Sequence, residues 1–397
     1  MSDDFKGSFT QQEPIPPEGI EAALTVLRHG RLHRYNLAPD EAGETALLEQ
    51  EFAAFTGAKY CLALASGGYA MTTAMRAHGV TAGDRVLSNA FTLAPVPGAI
   101  FSIGAVAVFV EVTDALVIDL VDLKRKIEQS GARVLLLSHM RGHICDMDRL
   151  MQICNQAGVA VIEDCAHTTG ANWRGTPSGR HGLAGCYSTQ TYKHLNSGEG
   201  GLLVSDNAEL MARATILSGS YMLYDRHRAA PPVAAFEAVK YHTPNISGRM
   251  DNLRAAILRP QLRELGQKCA AWNALYRALE AGLRDTPGLQ IVNRSPDEGF
   301  VGSSIQFLLP GWSGADMARV VAKCAARGVE LKWFGASEPV GFTSKYDSWR
   351  YADPAPMPQT EAVLSGLLDM RLPLTFSLDD CGVIASIICA EVAAVGQ

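Results

Sequence analysis

Apolar residues recur at helical spacing near the start of the chain, where Leu24 and Leu48 each belong to such a stripe. Two helices are predicted there, the first ending at Gly30 and the second at Gly57. Beyond them, short apolar runs alternate with helical stretches. The seven runs are residues 60–65, 84–87, 106–110, 134–137, 159–162, 185–188 and 201–204. Continuous apolar strands separated by helices predict an α/β fold with a mostly parallel sheet covered on both faces.

The pattern changes after about residue 250. A helical stretch over residues 251–283 is followed by strand-like runs at 304–309 and 329–333, with a helix between them, and a helix over 382–395 closes the chain. We therefore expect a large domain over residues 1–250, beginning with an arm over 1–18, and a smaller α+β domain over 251–397. Residues 335–360 are rich in Pro, Ser and aromatic residues and predict a long ordered loop with a functional role.

Composition narrows the classes of function. Of the 397 residues, 47% are hydrophobic and 19% charged, which suits a large core together with a buried oligomer interface. The net charge of −6 is not gathered into blocks and forms no basic stripe, so nucleic acid is not an expected partner. The longest apolar stretch, residues 98–110, is shorter than the roughly 20 residues that span a bilayer, so a membrane is not expected either. The N-terminus has no signal-peptide pattern, and nine scattered cysteines without a CxxC pair are typical of a reduced cytoplasm.

Two residues that follow strand-like runs carry the chemistry. Asp164 ends the run over 159–163, and Lys193 lies between another run and the glycine-rich turn over 196–201. A carboxylate at the carboxyl end of a buried strand lies where open α/β sheets bind ligands. An amine that forms a Schiff base and a carboxylate that holds a pyridinium proton are the two groups that a pyridoxal phosphate (PLP) enzyme needs. The alternative interpretations are a helix-capping aspartate and a solvated lysine.

A phosphate site is predicted where Ser66, Gly67 and Gly68 follow a strand and open a helix. Free backbone N–H groups and the positive end of the helix dipole suit a phosphate there, although a simple tight turn is an equal alternative. His167, three residues after Asp164, is predicted either to pack on the cofactor ring or to bond to its 3-hydroxyl, with a purely structural histidine as the alternative. His139 and His143, near Cys145, resemble a metal cluster in spacing, but we expect no metal because this segment joins a strand to a helix.

These segments together resemble the DegT/DnrJ/StrS-type sugar aminotransferases, which are PLP enzymes of fold type I. The resemblance extends over nearly the whole chain and is most specific in residues 163–201. The segments that carry it are residues 48–58, 66–67, 89–92, 142–147, 162–167, 188–193, 198–201, 249–250, 255–256 and 261–262. The resemblance implies that the cofactor is PLP and that an amino group moves from an amino acid, glutamate or glutamine, to a keto acceptor. It also implies a homodimer with shared active sites.

The resemblance also implies a role for each matching residue. Lys193 resembles the Schiff-base lysine, Asp164 the partner of the pyridine nitrogen, and His167 the residue beside the ring hydroxyl. Phe91 resembles the aromatic residue that stacks on the cofactor. Those expected at the phosphate are Ser66, Gly67, Gly68 and Ser188 of the same chain and Asn245 of the neighbouring subunit.

Three departures from the family pattern stand out. Gly68 replaces the usual Thr or Ser and so removes one phosphate hydroxyl. The segment from Asn245 to Arg249 is two residues longer than usual, so either Asn245 or Ser247 reaches the partner's phosphate. The loops over 220–228 and 333–351 differ from those of nucleotide-sugar binders, and Arg226 with Arg228 either binds a substrate anion or is solvated.

Three hypotheses follow. The first is a PLP-dependent aminotransferase that uses a keto sugar, keto cyclitol or small keto acid. The second keeps the cofactor but eliminates or decarboxylates an amino acid, since the same carbanion supports several reactions. The third is a PLP-binding regulatory or scaffold protein without turnover. Absorbance of the bound cofactor before and after addition of L-glutamate separates them.

Overall fold

The computed structural model describes residues 4–38 and 41–396, in which twelve α-helices and fourteen strands are found. The helices are α1 Pro17–His29, α2 Glu44–Thr56, α3 Gly67–His78, α4 Pro95–Ser102, α5 Leu120–Ser130, α6 Met147–Ala157, α7 Ala208–Ser218, α8 Val233–Glu237, α9 Asn252–Leu283, α10 Gly314–Ala326, α11 Pro358–Ser365 and α12 Leu378–Val395. The strands are β1 Tyr60–Leu64, β2 Arg85–Asn89, β3 Val106–Val110, β4 Val134–Ser138, β5 Ala160–Asp164, β6 Asn172–Trp173, β7 Thr176–Pro177, β8 Ala184–Ser188, β9 Gly201–Ser205, β10 Gln290–Ile291, β11 Glu298–Gly299, β12 Ser304–Leu308, β13 Lys332–Trp333 and β14 Leu367–Arg371. Four short 3-10 helices lie in the loops between them.

All seven predicted apolar runs form strands of one sheet, in the order β1-β9-β8-β5-β4-β2-β3. The adjacent strands β3, β2, β4, β5 and β8 run parallel to one another. Strand β9 runs antiparallel to both of its neighbours, β1 and β8. The predicted α/β fold of the PLP-transferase type I, with a mostly parallel mixed sheet, is confirmed.

Both faces of this sheet are buried because successive side chains of each strand enter different cores. In β1, Leu62 and Leu64 pack with helices α3, α4 and α7, whereas Cys61 and Ala63 pack with α2 and α9 on the opposite face. This arrangement explains why the strands read as continuous apolar runs rather than as alternating ones.

The parallel strands end at one edge of the sheet with polar residues. Asn89 ends β2, Ser138 ends β4, Asp164 ends β5 and Ser188 ends β8. Each of them is buried. Because the strands are adjacent, these four side chains gather at the edge where open α/β sheets bind ligands.

A second, antiparallel sheet has the order β10-β12-β14-β13. Its strand β14 was not predicted from the sequence, although it pairs with both β12 and β13. The run expected to be a strand over residues 329–333 pairs only at Lys332 and Trp333, so that prediction was too long. Helix α12 begins four residues earlier than predicted, because Ser377 and Asp380 form a capping box.

The long helix α9 joins the parts of the molecule. It is continuous from Asn252 to Leu283 despite Pro260 and packs against α1, α2 and α12. Phe5 and Phe9 of the N-terminal segment pack edge-on against Phe376, with ring centroids 5.0 Å from it. A three-stranded sheet of β11, β6 and β7 makes a further connection between early and late parts of the chain.

The segment over residues 335–360 has no strand, and its only regular structure before α11 is two 3-10 helices, Tyr346–Ser348 and Arg350–Ala352. Tyr346 and Trp349 are buried, so this long loop is packed against the rest of the protein. Among the residues that the structure describes, no helix has the length and apolar character needed to cross a bilayer.

Candidate active site

A cavity of about 430 Å³ opens at the carboxyl edge of the large sheet. Its wall contains most of the residues that the sequence had singled out. The predicted residues in it are Ser66, Gly67, Gly68, Asp164, His167, Ser188 and Lys193. Leu93, Met140 and Phe342 add apolar side chains, the last from the long loop over residues 335–360. The fold therefore brings together predicted residues that are as far apart in the sequence as Ser66 and Lys193.

Lys193 is the central amine of this cavity. Its Nζ lies 2.8 Å from Nε2 of His167, and both side chains are half-buried in the wall of the cavity. Burial lowers the pKa of Lys193 to about 7, and the positive charges of Arg141 and Arg371 contribute, whereas Asp164 opposes the shift. Burial also lowers the pKa of His167 well below its ordinary value, so its ring is neutral at physiological pH. A lysine with such a pKa is available as a free amine for nucleophilic attack.

Asp164 faces the cavity with its carboxylate held by two hydrogen bonds. The Ser138 hydroxyl donates to Oδ2 at 3.0 Å, and the backbone N–H of Ala166 donates to Oδ1 at 3.1 Å. Ser138 in turn accepts a hydrogen bond of 2.8 Å from the hydroxyl of Thr92. Burial raises the pKa of Asp164, and these partners only partly offset that effect.

Ser138 and Thr92 are the site residues that sequence reasoning missed. Each follows or ends a strand at the same edge as Asp164, and that position was the signal that could have found them. Asn89 holds the same region together, since its amide bonds both the N–H and the carbonyl of Ser138.

The opposite end of the cavity is the N-terminus of α3. Ser66 is the N-cap of this helix, and its side chain accepts a hydrogen bond of 3.1 Å from the N–H of Tyr69. A Cβ on Gly67 would lie 2.8 Å from that of Ser188, so this position requires glycine. A Cβ on Gly68 would meet nothing nearer than 3.8 Å. Open space therefore faces the free N–H groups at the start of the helix, as an anion site requires.

Phe91 corrects one expectation. Its side chain is fully buried, and its ring packs perpendicular to that of Phe334 with a centroid distance of 5.0 Å. It is not part of the cavity wall, where Thr92 and Leu93 follow it in sequence. The structure does not support the predicted stacking of Phe91 on a cofactor ring, because this side chain lies in an apolar cluster behind Met140 of the cavity wall.

Asn245 and Ser247 also lie outside this cavity, and both are exposed. Such a position is the one expected of residues that would serve a neighbouring subunit rather than their own. Arg226 and Arg228 are likewise absent from the wall; Arg226 is exposed, and Arg228 bonds to Gln50.

The histidines that resembled a metal cluster separate in the structure. His143 bonds to Gln306 at 2.8 Å, whereas His139 comes close to Glu163 and Cys165. The Glu163 carboxylate is already satisfied, since it bonds to His139 and to the N–H groups of three residues in the turn before β8: Gly179, His181 and Gly182. This buried network explains the cluster as a structural one that anchors the turn.

Comparison with known proteins identifies the family. The family model of the DegT/DnrJ/EryC1/StrS aminotransferases matches residues 19–388. The chain belongs to this family. It is thus an aminotransferase that uses pyridoxal phosphate, as the first of the three hypotheses held.

Individual relatives agree with this assignment. The L-glutamine:2-deoxy-scyllo-inosose aminotransferase of Streptoalloteichus tenebrarius is 30% identical over 313 residues, which cover 74% of this chain and 72% of the relative. The L-glutamine:scyllo-inosose aminotransferase of Streptomyces griseus is 34% identical over 218 residues, or 54% and 50% of the two chains. The aminotransferase TlmJ from Streptoalloteichus hindustanus has the same fold, with a TM-score of 0.83 at 19% identity over 98% of this chain and 99% of its own.

The residues present fit the cofactor that the family uses. One end of the cavity offers free helix N–H groups, a hydroxyl from Ser188 and the space at Gly68, which suit a phosphate. The other end offers a half-buried amine at Lys193 and a buried carboxylate at Asp164. PLP requires these groups: hydrogen-bond donors for its phosphate, an amine for its aldehyde and a carboxylate for its ring nitrogen.

Proposed function

We propose that this enzyme transfers the amino group of glutamine or glutamate to the keto group of a cyclitol or sugar. The observation that carries the proposal is the meeting of Lys193, His167 and Asp164 in the wall of one cavity. Glutamine as donor and a keto cyclitol as acceptor are supported by the names of the two relatives, which share 30% and 34% identity with this chain.

Each residue of the cavity has a proposed task. Ser66, Gly67, Gly68 and Ser188 bind the phosphate, and His167 lies against the ring. Asp164 would hold the protonated ring nitrogen by accepting its hydrogen bond, and this contact would favour the ionised carboxylate and oppose the effect of burial. Bound there, PLP would supply the carbonyl that receives the amino group and a ring that stabilises negative charge.

Lys193 moves the proton. With a pKa of about 7, a substantial fraction of its amine is unprotonated near neutral pH and would be able to accept a proton from the α-carbon of the donor and pass it on within the bound complex. His167 fixes the position of that amine, since its neutral ring lies at hydrogen-bond distance from Nζ. The two side chains together orient the proton transfer without adding a second charge to the site.

Under this proposal, the active enzyme is a homodimer with shared active sites. Either Asn245 or Ser247 of one subunit reaches the cofactor phosphate bound in the other subunit. The segment that carries them is anchored to helix α3, because the Tyr69 hydroxyl donates to the carbonyl of Ile246 at 2.6 Å. Ile246 and Tyr221 are exposed apolar residues close to this segment, as expected for a surface that a partner covers.

The absorption spectrum of the purified protein tests the proposal. A band from lysine-bound PLP that converts to the pyridoxamine form on addition of L-glutamine or L-glutamate is the expected result. Lys193→Ala should remove both the band and the conversion. Release of ammonia or carbon dioxide from the donor, without any keto partner being aminated, would be incompatible with amino transfer.

A further inference from the structure

A second cavity of about 490 Å³, here called the basic cavity, adjoins the candidate active site. Three cationic side chains line it, those of Arg141, Lys332 and Arg371. Phe342 lines both cavities, and Arg141 directly follows Met140 of the active-site wall. The basic cavity therefore lies where the body of a substrate would extend from the reacting centre.

Its charges do not cancel. Asp369 and the exposed Glu330 are its two carboxylates, so three cations leave one positive charge in excess. Asp369 is fully engaged, since it pairs with Arg141 at 2.7 Å and accepts a hydrogen bond of 2.7 Å from Gln306. In the described part of the chain, no carboxylate lies within 4.0 Å of the cationic nitrogens of Arg371 or Lys332.

Arg141 shows that this charge is built into the fold. Its side chain is 10% exposed, and its Nε is buried without a hydrogen-bond partner. Its backbone adopts the left-handed conformation, with φ 54° and ψ 24°. An unpaired buried donor and a strained non-glycine backbone each cost on the order of 1–3 kcal/mol, and such costs cluster at functional sites.

Arg371 connects the basic cavity to the catalytic lysine. Its guanidinium lies 3.9 Å from the ring centroid of Tyr192, the residue that precedes Lys193. The positive charges of both Arg141 and Arg371 lower the pKa of Lys193, which places them within electrostatic reach of its amine. A ligand held by Arg371 would thus lie within electrostatic reach of the Lys193 amine.

Apart from Thr10, the uncharged side chains of the wall are apolar or aromatic. Val321, Leu331, Trp333 and Val340 contribute to it, together with Phe9 from the N-terminal segment. Such side chains suit a compact hydrocarbon surface and offer no hydrogen bonds to the hydroxyls of a neutral polyol.

We propose that the basic cavity binds a keto acceptor that carries a carboxylate, with this group on Arg371 and Lys332 and its less polar face against Trp333. A carboxylate fits better than a phosphate monoester, because its single charge matches the single positive excess. The inference rests on the proposed amino transfer and specifies its acceptor. It distinguishes this enzyme from relatives that are named for uncharged inososes.

Calorimetry with unreactive probes tests this inference on the enzyme reconstituted with PLP. Cyclohexanecarboxylate should bind at least about tenfold more tightly than cyclohexanecarboxamide, which has the same shape without the charge. Arg371→Gln should abolish that preference, and Lys332→Gln provides a second variant should the first fail to fold. The matched control is Arg319→Gln, an exposed arginine of α10 that pairs with Asp316. It should retain the preference.

The acceptor is separated from the donor by measuring the two half-reactions of each variant. One half-reaction is the amination of 3-oxocyclohexanecarboxylate by the pyridoxamine form, and the other is the conversion of the PLP form by glutamine. In Arg371→Gln, the rate of the first should fall about tenfold more than the rate of the second. An equal loss in both half-reactions would assign the cavity to the carboxylate of the donor and overturn the proposal, as would equal binding of the two probes. Failure of the amino transfer itself would appear separately, as a cofactor band that no amino donor converts.

Discussion

The Nζ of Lys193 lies 2.8 Å from Nε2 of His167, and neither group is an ordinary cation. The pKa of His167 is lowered well below its usual value by burial, and that of Lys193 is lowered to about 7. A neutral imidazole can share a proton with an amine at this distance, whereas two charged groups would repel each other. The pair therefore keeps the amine both oriented and reactive near neutral pH.

The first prediction concerns the pH dependence of cofactor binding. The rate at which the cofactor-free enzyme takes up PLP should rise with pH around a midpoint near 7, since only the neutral amine of Lys193 attacks. Arg141→Met should move this midpoint upward, because a positive charge that lowers the pKa of Lys193 is removed. Stopped-flow absorbance measures the rate.

Arg263→Met is the control for this shift. Arg263 is an exposed arginine that pairs with Glu18, and its loss should leave the midpoint unchanged. A midpoint near the ordinary lysine value of 10.5 in the unmodified enzyme would contradict the low pKa of Lys193.

The second prediction compares two buried serines. Ser138→Ala removes the hydroxyl that donates to Asp164, which should raise the pKa of that carboxyl further and weaken its contact with the ring nitrogen. We expect a loss in kcat of about tenfold, the effect of a hydrogen bond of about 1.5 kcal/mol to a charged group.

Ser88→Ala is the matched control. The Ser88 hydroxyl is buried without a partner, so its removal should be neutral or slightly stabilising. Equal losses in the two variants would show that Asp164 does not depend on Ser138.

The third prediction concerns adjacent glycines at the start of α3. Gly67→Ala places a methyl group 2.8 Å from Cβ of Ser188 and should cost about 1–3 kcal/mol of stability, together with affinity for the phosphate. Gly68→Ala has free space and should stabilise the helix by a few tenths of a kcal/mol. Gly68→Ser should retain PLP more tightly, because it restores a hydroxyl. Thermal unfolding and dialysis against buffer measure these effects, and similar behaviour of the two alanine variants would count against the phosphate site.

The fourth prediction concerns a buried ion pair outside the wall of the candidate active site. Burial tends to raise the pKa of Glu49, but Arg34 and His227 outweigh it and lower the pKa from 4.5 to about 2. The resulting stability is present above pH 4.5 and is lost as the pH falls from 4.5 towards 2. Glu49→Gln should unfold more easily by about 3–5 kcal/mol and lose this acid dependence, because Arg34 remains buried without its carboxylate.

Urea unfolding between pH 3 and 7 measures that change. Glu209→Gln, which breaks an exposed pair with Arg213, should cost less than about 0.5 kcal/mol. A pH profile of Glu49→Gln that matches the unmodified protein would assign the acid sensitivity to other groups.

The large sheet could be predicted from sequence because its strands are buried on both faces and read as uninterrupted apolar runs. Strand β14 escaped prediction because Asp369 and Arg371 interrupt its apolar residues, and both belong to the basic cavity. The candidate site was also only partly predictable from the sequence. Lys193 and Asp164 could be found from their positions after strands, whereas the burial of Phe91 depends on Phe334, which is far away in the chain.

The last prediction tests the shared active site by complementation. Asn245→Ala and Lys193→Ala should each be inactive or nearly so, the first by losing a phosphate contact in the partner and the second by losing the amine. Mixed and reassembled in equal amounts, they should recover about a quarter of the activity, since half of the dimers are mixed and each of these has one intact site of two. That intact site combines Lys193 of one chain with Asn245 of the other. Ser247→Ala in place of Asn245→Ala shows which of the two residues reaches across. If subunits that are shown to exchange recover no activity, Asn245 and Lys193 must act in the same site of one chain. That result would contradict the shared site, which is inferred from the exposed position of Asn245 outside its own cavity.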